Sequence, residues 1–303
     1  MKYKYSIIMS IYNEKILWIM ESIESILAQS FKDFEIIIII DNPNYFEAIE
    51  FVKKLQLENL KYFVNEKNIG LALSLNKALE YSEGEYIVRM DSDDIMLENR
   101  LKIQDEEFKK NKKLDFLGTS AYMIDEEGNI FSDFKVPLKY KKILKKIKKQ
   151  NCFIHPSIII KKKILIEAGG YRNFPCSQDY DLFYRLLDKG YYGYNLSQKL
   201  LKYRIRTSSL GISKGLVQYL SFKYIKDLGK ERRKIGKDSY SPKRIDEILK
   251  ISEDEQKKFM QFRLKVLRSK NIKKILVYLK ASFCSKYAFL FTKDLILSKL
   301  KIF

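Results

Sequence analysis

Short, strongly apolar runs alternate with helical patterns through the first half of the chain. The apolar runs predict four β-strands, and the second contains five consecutive isoleucines, which is typical of a strand buried on both faces. These strands are expected over residues 5–10, 35–41, 60–64 and 85–91. Apolar residues at helical spacing predict helices between them, over residues 15–29, 45–56 and 71–81. The order predicts an α/β fold with an open, mainly parallel sheet covered by helices.

The pattern changes after about residue 115. Residues 115–134 predict a hairpin around a turn at 125–129, and residues 139–149 form a basic amphipathic stretch. Further elements are expected in this order: a strand over 153–160, a turn at Gly169-Gly170, a helix over 178–189, and two short strands within 191–206. From about residue 214 the chain is lysine-rich and predicted to be all helical. We therefore divide it into a domain of residues 1–213 and a basic helical extension of residues 214–303.

Polar residues follow each of the four predicted strands. They occur in Ser10–Glu14, Asp41–Pro43, Asn68–Gly70 and Asp91–Asp94. In open parallel sheets ligands bind beyond the carboxyl ends of the strands. Turn propensity alone explains Asn42-Pro43, but it explains Asp91–Asp94 poorly, because three neighbouring acids repel one another unless a cation lies between them. The D-x-D pair Asp91 and Asp93 suits Mg²⁺ or Mn²⁺ shared with substrate phosphates.

Net charge narrows the possible partners. The 303 residues include 58 Lys and Arg against 38 Asp and Glu, a net charge of +20. Residues 135–163 hold eleven lysines and no acid, and residues 257–303 hold thirteen basic residues and one acid. These two segments carry +23, so the remainder is close to neutral at −3. Such patches fit nucleic acid, anionic lipid or a phosphorylated substrate.

Composition excludes several classes of protein. An apolar content of 46% argues against a disordered chain, and three scattered cysteines argue against a disulfide framework or a zinc ribbon. No apolar run approaches the roughly 18 residues that a transmembrane helix needs. The N-terminus lacks a signal-peptide pattern. We expect a cytoplasmic protein, bound peripherally to the inner face of the cell membrane.

Six segments in order resemble the family 2 glycosyltransferases, which are inverting enzymes with a GT-A fold. The resemblance covers roughly residues 4–206. The segments are SIIMSIYNE at 6–14, QSFKDFEIIIIIDNP at 29–43, NEKNIGLALSLNKAL at 65–79, EGEYIVRMDSDDIMLENRL at 83–101, HPSIIIKKKILIEAGGY at 155–171 and SQDYDLFYRLL at 177–187. It implies transfer of a sugar from a nucleotide-sugar, most often UDP-linked, to a glycan or lipid-linked glycan in bacterial surface polysaccharide synthesis. It also implies Mn²⁺ or Mg²⁺ as cofactor.

The resemblance also implies roles for individual residues. Asp41 would accept a hydrogen bond from the base, Asp91 would hold the ribose and diphosphate side, and Asp93 would ligate the metal, with Asp91 beside it. Asp179 would be the catalytic base. The remaining nucleotide-sugar contacts would come from Tyr12, Asn13, Glu14, Asn68 and Ser92. His155 and Gln178 would lie on the acceptor side.

Structural alternatives accompany some of these roles. Asp41 could be a turn or cap residue, Asp179 could cap the helix that follows it, and His155 could be a buried structural residue. We favour the functional role for Asp41 and Asp179 and assign a structural role to Asp181. Arg100 and Gln104 match the family pattern, but helix surface pairing is the only physical role that we predict for them.

The chain departs from the family pattern in three places. The helix after the Asn-x-Gly loop lacks an arginine, and Gln178 stands where relatives usually have glutamate. Arg206 stands where many relatives have a histidine that the family pattern associates with the metal site. An arginine cannot ligate a metal, but it can bind a phosphate through two hydrogen bonds, so we predict that Arg206 contacts the diphosphate.

The C-terminal segment 271–303 carries lysines six or seven residues apart, with apolar residues between them. These lysines are Lys273, Lys280, Lys286, Lys293 and Lys299. A helix with this pattern suits an anionic membrane surface, and the alternative is a helix packed on the protein with its lysines in solvent. Two other functions stay open: a nucleotidyltransferase with a similar sheet, and a basic nucleic-acid- or membrane-binding protein with a non-catalytic site. We expect no nucleic-acid partner.

Overall fold

The computed structural model describes residues 2–206, 215–268 and 285–300. A mixed β-sheet organises the first of these ranges. The strands are β1 (Tyr5–Ile11), β2 (Phe34–Ile40), β3 (Leu60–Val64), β4 (Tyr86–Arg89), β5 (Ile95–Met96), β6 (Phe116–Ile124), β7 (Ile130–Phe134), β8 (Ile159–Lys161) and β9 (Gly193–Arg204). The helices in this range are α1 (Ile16–Leu27), α2 (Phe46–Lys54), α3 (Leu71–Tyr81), α4 (Arg100–Lys110), α5 (Tyr140–Ile147), α6 (Lys162–Glu167) and α7 (Gln178–Asp188).

The four strands predicted from the first half form one parallel block in the order β3-β2-β1-β4. All seven residues of β2 are buried, as its isoleucine run predicts for a strand covered on both faces. Ile11 pairs with Ile40, and Ile40 pairs with Val64, so the carboxyl ends of β1, β2 and β3 lie level at one edge. The prediction that their polar end residues share an edge is confirmed.

The sheet continues beyond β4 in the order β8-β6-β9-β5, and the edge strand β7 pairs with β6. The predicted hairpin is confirmed as β6 and β7, which pair antiparallel. The strand predicted over 153–160 is wrong in its first half: residues 155–157 form a 3₁₀ turn, because Pro156 lacks the N–H that a strand ladder needs. The two strands predicted within 191–206 are one, β9, whose pairing with β6 shifts register without ending.

Arg100 and Gln104 lie in the core, so helix surface pairing is the wrong role for them. Both side chains are completely buried. The Arg100 Nε donates to the Gln104 Oε1 (3.0 Å), and the Gln104 Nε2 donates to the Leu117 and Ser157 carbonyls (3.0 and 3.1 Å). Burial, aided by the positive charge of Arg89, lowers the pKa of Arg100 to about 9. The pair ties α4 to β6 and to the turn at residues 155–157.

The chain divides into two compact units. One comprises Met1–Asn173 with Gln178–Arg206, and the other comprises Phe174–Ser177 with Thr207–Phe303. The second contains α8 (Gly215–Ile235), α9 (Pro242–Ile248), α10 (Glu253–Arg268) and α11 (Lys286–Leu300). The predicted boundary between residues 213 and 214 lies outside the described residues and stays a prediction. Within the ranges that the structure describes, no helix is both long and apolar enough to cross a membrane.

The predicted membrane-binding segment 271–303 lies partly outside the described residues. In α11, Ala288 and Thr292 are buried, and the Phe291 ring packs on that of Phe259 at 5.7 Å between centroids. The Tyr219 hydroxyl donates to Asp294 (2.7 Å). Lysines 286 and 293 face solvent. Over residues 286–294, therefore, the structure favours the alternative of a helix packed within its own unit.

Candidate active site

The ends of β1 and β2 are joined by side chains that follow them. The Asn42 Nδ2 donates to the Asn13 Oδ1 (2.6 Å), and the Tyr45 hydroxyl donates to the Glu14 carbonyl (2.6 Å). The Tyr12 N–H donates to the Glu14 Oε2 (2.8 Å). These bonds hold the loop after β1 in place and leave the Tyr12 side chain exposed at the sheet edge.

Asp41 is buried at the end of β2 and is surrounded by neutral donors. Its Oδ1 accepts hydrogen bonds from the Asn65 Nδ2 (2.8 Å) and the Ile69 N–H (2.9 Å), and its Oδ2 accepts one from the Gly70 N–H (2.8 Å). Gly70 has φ +87°, a conformation that favours glycine. A carboxylate offers about four acceptor positions, so Asp41 keeps capacity for one more donor. Asn68 is exposed in the same loop.

Three carboxylates converge after β4. Asp91, Asp93 and Asp94 each offer an oxygen, and these atoms lie within 4.8 Å of one another. Burial raises the pKa of Asp93 to about 7; Asp91 and Glu14 add to the rise and Arg206 opposes it. Burial and the other two carboxylates also raise the pKa of Asp94 well above its usual range.

Asp94 supplies the signal for a cation at this cluster. Its Oδ1 accepts the Arg204 N–H (2.8 Å), but its buried Oδ2 has no hydrogen-bond partner among the described residues. An unpaired buried carboxylate oxygen beside two further carboxylates fits a hard divalent cation with oxygen ligands. The D-x-D pattern predicts Asp91 and Asp93 as ligands, and the structure adds Asp94. Ser92, which lies between Asp91 and Asp93 in the sequence, is buried.

Arginines surround the cluster. The Arg206 Nε contacts the Asp93 Oδ2 at 2.8 Å, and its Nη1 lies 3.8 Å from the Glu14 Oε1. Arg206, predicted to contact the diphosphate, therefore joins the β1 loop to the aspartate cluster. Arg89 is buried and pairs with Asp91.

Arg204 is a second buried arginine that sequence reasoning missed. Its Nε donates to the Asp93 carbonyl (2.8 Å), and its Nη2 donates to the Glu21 Oε2 (2.5 Å). Its guanidinium lies 5.3 Å from the Trp18 ring centroid. Sequence reasoning also missed Arg89. Its place within the apolar run Ile87–Met90 could have indicated a buried ion pair, because only a paired charge is tolerated there.

Asp179 lies in the first turn of α7. Its Oδ2 accepts a hydrogen bond from the Asn151 Nδ2 at 2.6 Å. Burial raises the pKa of Asp179, whereas hydrogen bonds from the Tyr180 N–H, its own N–H and Asn151 lower it; the charge of Asp91 raises it further. Gln178, the preceding residue, is buried.

Two other predicted residues lie in tightly packed surroundings. Asp181 is fully buried and accepts from the Arg185 Nε (2.8 Å), an arrangement that fits its structural assignment. His155 is also buried, and its Nε2 is 2.9 Å from the Tyr171 hydroxyl. Burial and the positive charge of Arg89 lower the pKa of His155 well below its usual range. Its proposed contact with acceptor or metal stays a prediction.

Comparisons with known proteins identify the family of this chain. Residues 6–169 match the model of the family described as glycosyl transferase family 2. The O-antigen biosynthesis glycosyltransferase WbnJ of Escherichia coli is 38% identical over 62% of this chain and 74% of its own length. The UDP-Gal:alpha-D-GlcNAc-diphosphoundecaprenol beta-1,3-galactosyltransferase of E. coli is 31% identical over 66% of this chain and 74% of its own.

A solved structure supports the fold. S. aureus TarS, residues 1–349 in complex with UDP-GlcNAc, superposes with a TM-score of 0.61 over 93% of this chain and 81% of that one, at 18% identity. This likeness confirms the predicted GT-A fold. Because the family model matches more than half of the residues, and because WbnJ is similar over most of its length, the chain belongs to glycosyl transferase family 2 and is a glycosyltransferase.

Proposed function

We propose that this enzyme transfers a hexose from a UDP-sugar to a hydroxyl of a lipid-linked glycan during bacterial surface polysaccharide synthesis. The aspartate cluster Asp91, Asp93 and Asp94 carries the proposal, and Asp179 is the base that the family resemblance implies. The donor and acceptor classes are those in the name of the E. coli galactosyltransferase, which specifies UDP-Gal and a diphosphoundecaprenol-linked sugar. Such an acceptor would bring the enzyme to the inner face of the membrane as a peripheral protein.

Donor binding would use the carboxyl edge of the sheet. The base would lie near Asp41, which has capacity for one more hydrogen bond, and beside the exposed Tyr12 ring. Asn13, Glu14, Asn68 and Ser92 would complete this part of the pocket. Arg206, 32% exposed and now paired with Asp93, would share its remaining N–H donors with the diphosphate.

The three aspartates are the residues that would hold Mn²⁺ or Mg²⁺. A cation bound there would neutralise the charge that develops on the departing diphosphate. Arg89 and Arg204 would keep Asp91 and Asp93 in position, through a pair with the Asp91 side chain and a bond to the Asp93 carbonyl.

Asp179 would act as the general base. It would take the proton of the acceptor hydroxyl as that oxygen forms its bond to the anomeric carbon and the bond from this carbon to the diphosphate oxygen breaks. One displacement from the face opposite the leaving group inverts the anomeric configuration. Asn151, at 2.6 Å, would orient the Asp179 carboxylate.

The test measures UDP release and sugar transfer for a panel of UDP-sugars, with and without Mn²⁺, using a polyprenyl-diphosphate-linked sugar as acceptor. Asp179→Asn should lower transfer by about 10²–10⁴-fold with little change in donor affinity, because general-base catalysis is lost. Asp246→Asn, the same change at an exposed acid of α9, is the matched control. Unchanged turnover in Asp179→Asn, or retention of the anomeric configuration, would contradict the mechanism. Release of pyrophosphate instead of UDP would indicate a nucleotidyltransferase.

A further inference from the structure

Helix α5 presents an unpaired basic face. Ile143 and Ile147 are buried, whereas most of the lysines around them are exposed. The exposed set is Lys139, Lys141, Lys142, Lys145, Lys148 and Lys149. Within residues 2–206, 215–268 and 285–300, none of these ammonium groups has an acidic partner within 4 Å. The face therefore concentrates positive charge that the protein itself does not neutralise.

The helix is held firmly against the sheet. The Tyr140 ring stacks on the Tyr192 ring with 4.3 Å between centroids, and the Tyr180 hydroxyl donates to the Ile147 carbonyl (2.7 Å). With two buried isoleucines one turn apart, these contacts give the lysines a defined direction into solvent.

Exposed apolar side chains precede this helix in the chain. All five residues of the edge strand β7 are exposed, among them Ile130 (51%), Phe131 (56%) and Phe134 (37%). Lys135 and Lys139 lie in the short connection between β7 and α5. Lys135 pairs with Asp133 at 3.9 Å, whereas Lys139 has no acidic partner among the described residues. Exposed large apolar residues followed closely in the chain by unpaired lysines are a combination that indicates a binding surface.

We infer that residues 130–149, the β7–α5 surface, dock on an anionic lipid bilayer. The lysines complement the negative surface of the leaflet, and Phe131 and Ile130 gain free energy by leaving water for the boundary with the acyl chains. An acidic soluble partner would satisfy the lysines alone. A bilayer satisfies both kinds of side chain, which is why it is the occupant that we propose.

The position of this surface gives it a consequence for catalysis. Asn151 lies four residues beyond α5 and donates to Asp179, and Tyr180, next to Asp179, holds the last residue of α5. Docking would thus fix the Asp179 end of the site relative to the membrane plane, where the sugar of a lipid-linked acceptor is presented. This step rests on the proposed function, whereas the docking itself does not.

The experiment is co-sedimentation of the full-length protein with vesicles of phosphatidylglycerol and phosphatidylcholine, without donor or acceptor. Replacing Lys141, Lys142, Lys145 and Lys149 by Gln should lower the partition coefficient by about 100-fold or more, because each lysine near an anionic surface contributes about 1 kcal/mol. Phe131→Ser should lower it by about 5–10-fold. Binding of the wild type should weaken as salt rises and be lost on vesicles of phosphatidylcholine alone.

Two charge-matched variants make the result decisive. Lys102, Lys110, Lys112 and Lys113 are exposed on α4 and just after it, and their replacement by Gln removes the same charge elsewhere in the unit. This control should bind as the wild type does, and equal losses in both variants would reduce the effect to net charge and overturn the proposal. The tail variant replaces Lys273, Lys280, Lys286 and Lys293 by Gln. Loss of binding in it, with the α5 variant unaffected, would assign docking to the tail instead.

Two further readouts separate this inference from its rivals and from the proposed function. Binding of a single-stranded DNA oligonucleotide that depends on the α5 lysines, without binding to vesicles, would contradict the lipid assignment. UDP release from the donor into water should be unchanged in the α5 variant, whereas transfer to a membrane-embedded acceptor should fall. Wild-type vesicle binding without any UDP release would leave the docking intact and refute the proposed function.

Discussion

Aspartates follow two strands of the same parallel block, β2 and β4, and their hydrogen-bonding surroundings are opposite. Asp41, after β2, receives three hydrogen bonds from an amide side chain and two backbone N–H groups. The aspartates after β4 face one another, and one buried oxygen of Asp94 has no hydrogen-bond partner among the described residues. The protein's own donors satisfy most of the acceptor positions at the first end, whereas the second keeps an unsatisfied buried oxygen where we propose that a cation binds.

This difference shows that position at the sheet edge does not by itself define a role. Neutral donors orient Asp41 and tie β2 to the loop after β3, so its carboxylate also stabilises the fold. Repulsion among Asp91, Asp93 and Asp94 does not help the fold, and arginines only partly offset it. Under the proposed function, the cluster would favour catalysis over stability, a common feature of active sites.

The largest expected effect comes from Asp93→Ala. Transfer should fall by about 10³-fold, because the charge on the departing diphosphate loses its counter-charge. The melting temperature should stay the same or rise, since a buried carboxylate with repelling neighbours is removed. Steady-state kinetics and thermal unfolding of the same variant check both outcomes. A large loss of stability with kcat unchanged would mean that Asp93 stabilises the fold and is not needed for catalysis.

Asp41→Ala should have the opposite profile. Buried donors of Asn65, Ile69 and Gly70 would lose their acceptor, at a cost of about 1–3 kcal/mol in the free energy of unfolding. Chemical denaturation measures this cost. Asp41→Asn keeps one acceptor oxygen and should lose less stability, while the KM for the UDP-sugar rises in both variants. If both variants unfold like the wild type, the contrast between the strand ends does not hold.

The smallest effect is expected from a substitution of Asn151, which donates a hydrogen bond to the Asp179 carboxylate. The Asn151 amide stabilises the charged form of Asp179, so Asn151→Ala should raise the pKa of Asp179 further. Because the base must be ionised, the acidic limb of the kcat profile should move to higher pH, with the plateau little changed. An acidic limb that stays in place, or moves to lower pH, would mean that another group controls it.

Local patterns were sufficient for the parallel half of the sheet. Isoleucine runs, helical periodicity and turn residues predict β1 to β4 and their helices, because these elements depend on neighbours in the chain. The rule that parallel strands end at one edge then brings Asp41 and Asp91 to the same side. The resemblance added the family, which the comparisons confirm.

Contacts between distant residues decided the rest. The sequence does not show that Arg100 and Gln104 bridge α4 to Leu117 and Ser157, since two polar residues four positions apart resemble an exposed helix surface. Nor does it show that Asp94 lacks a partner, because hydrogen-bond satisfaction depends on the groups that folding brings near.

The two basic segments give the same lesson. Their lysine-rich patterns are similar in the sequence. Yet α5 exposes unpaired lysines soon after the exposed Phe131 and Phe134 of β7 in the chain, whereas α11 packs Ala288 and Phe291 inside its own unit. By itself, the sequence determined the sheet, the acidic edge and the family. Only the tertiary structure decided which carboxylates stay unsatisfied and which basic face stays uncovered, because burial and pairing are properties of the packed chain.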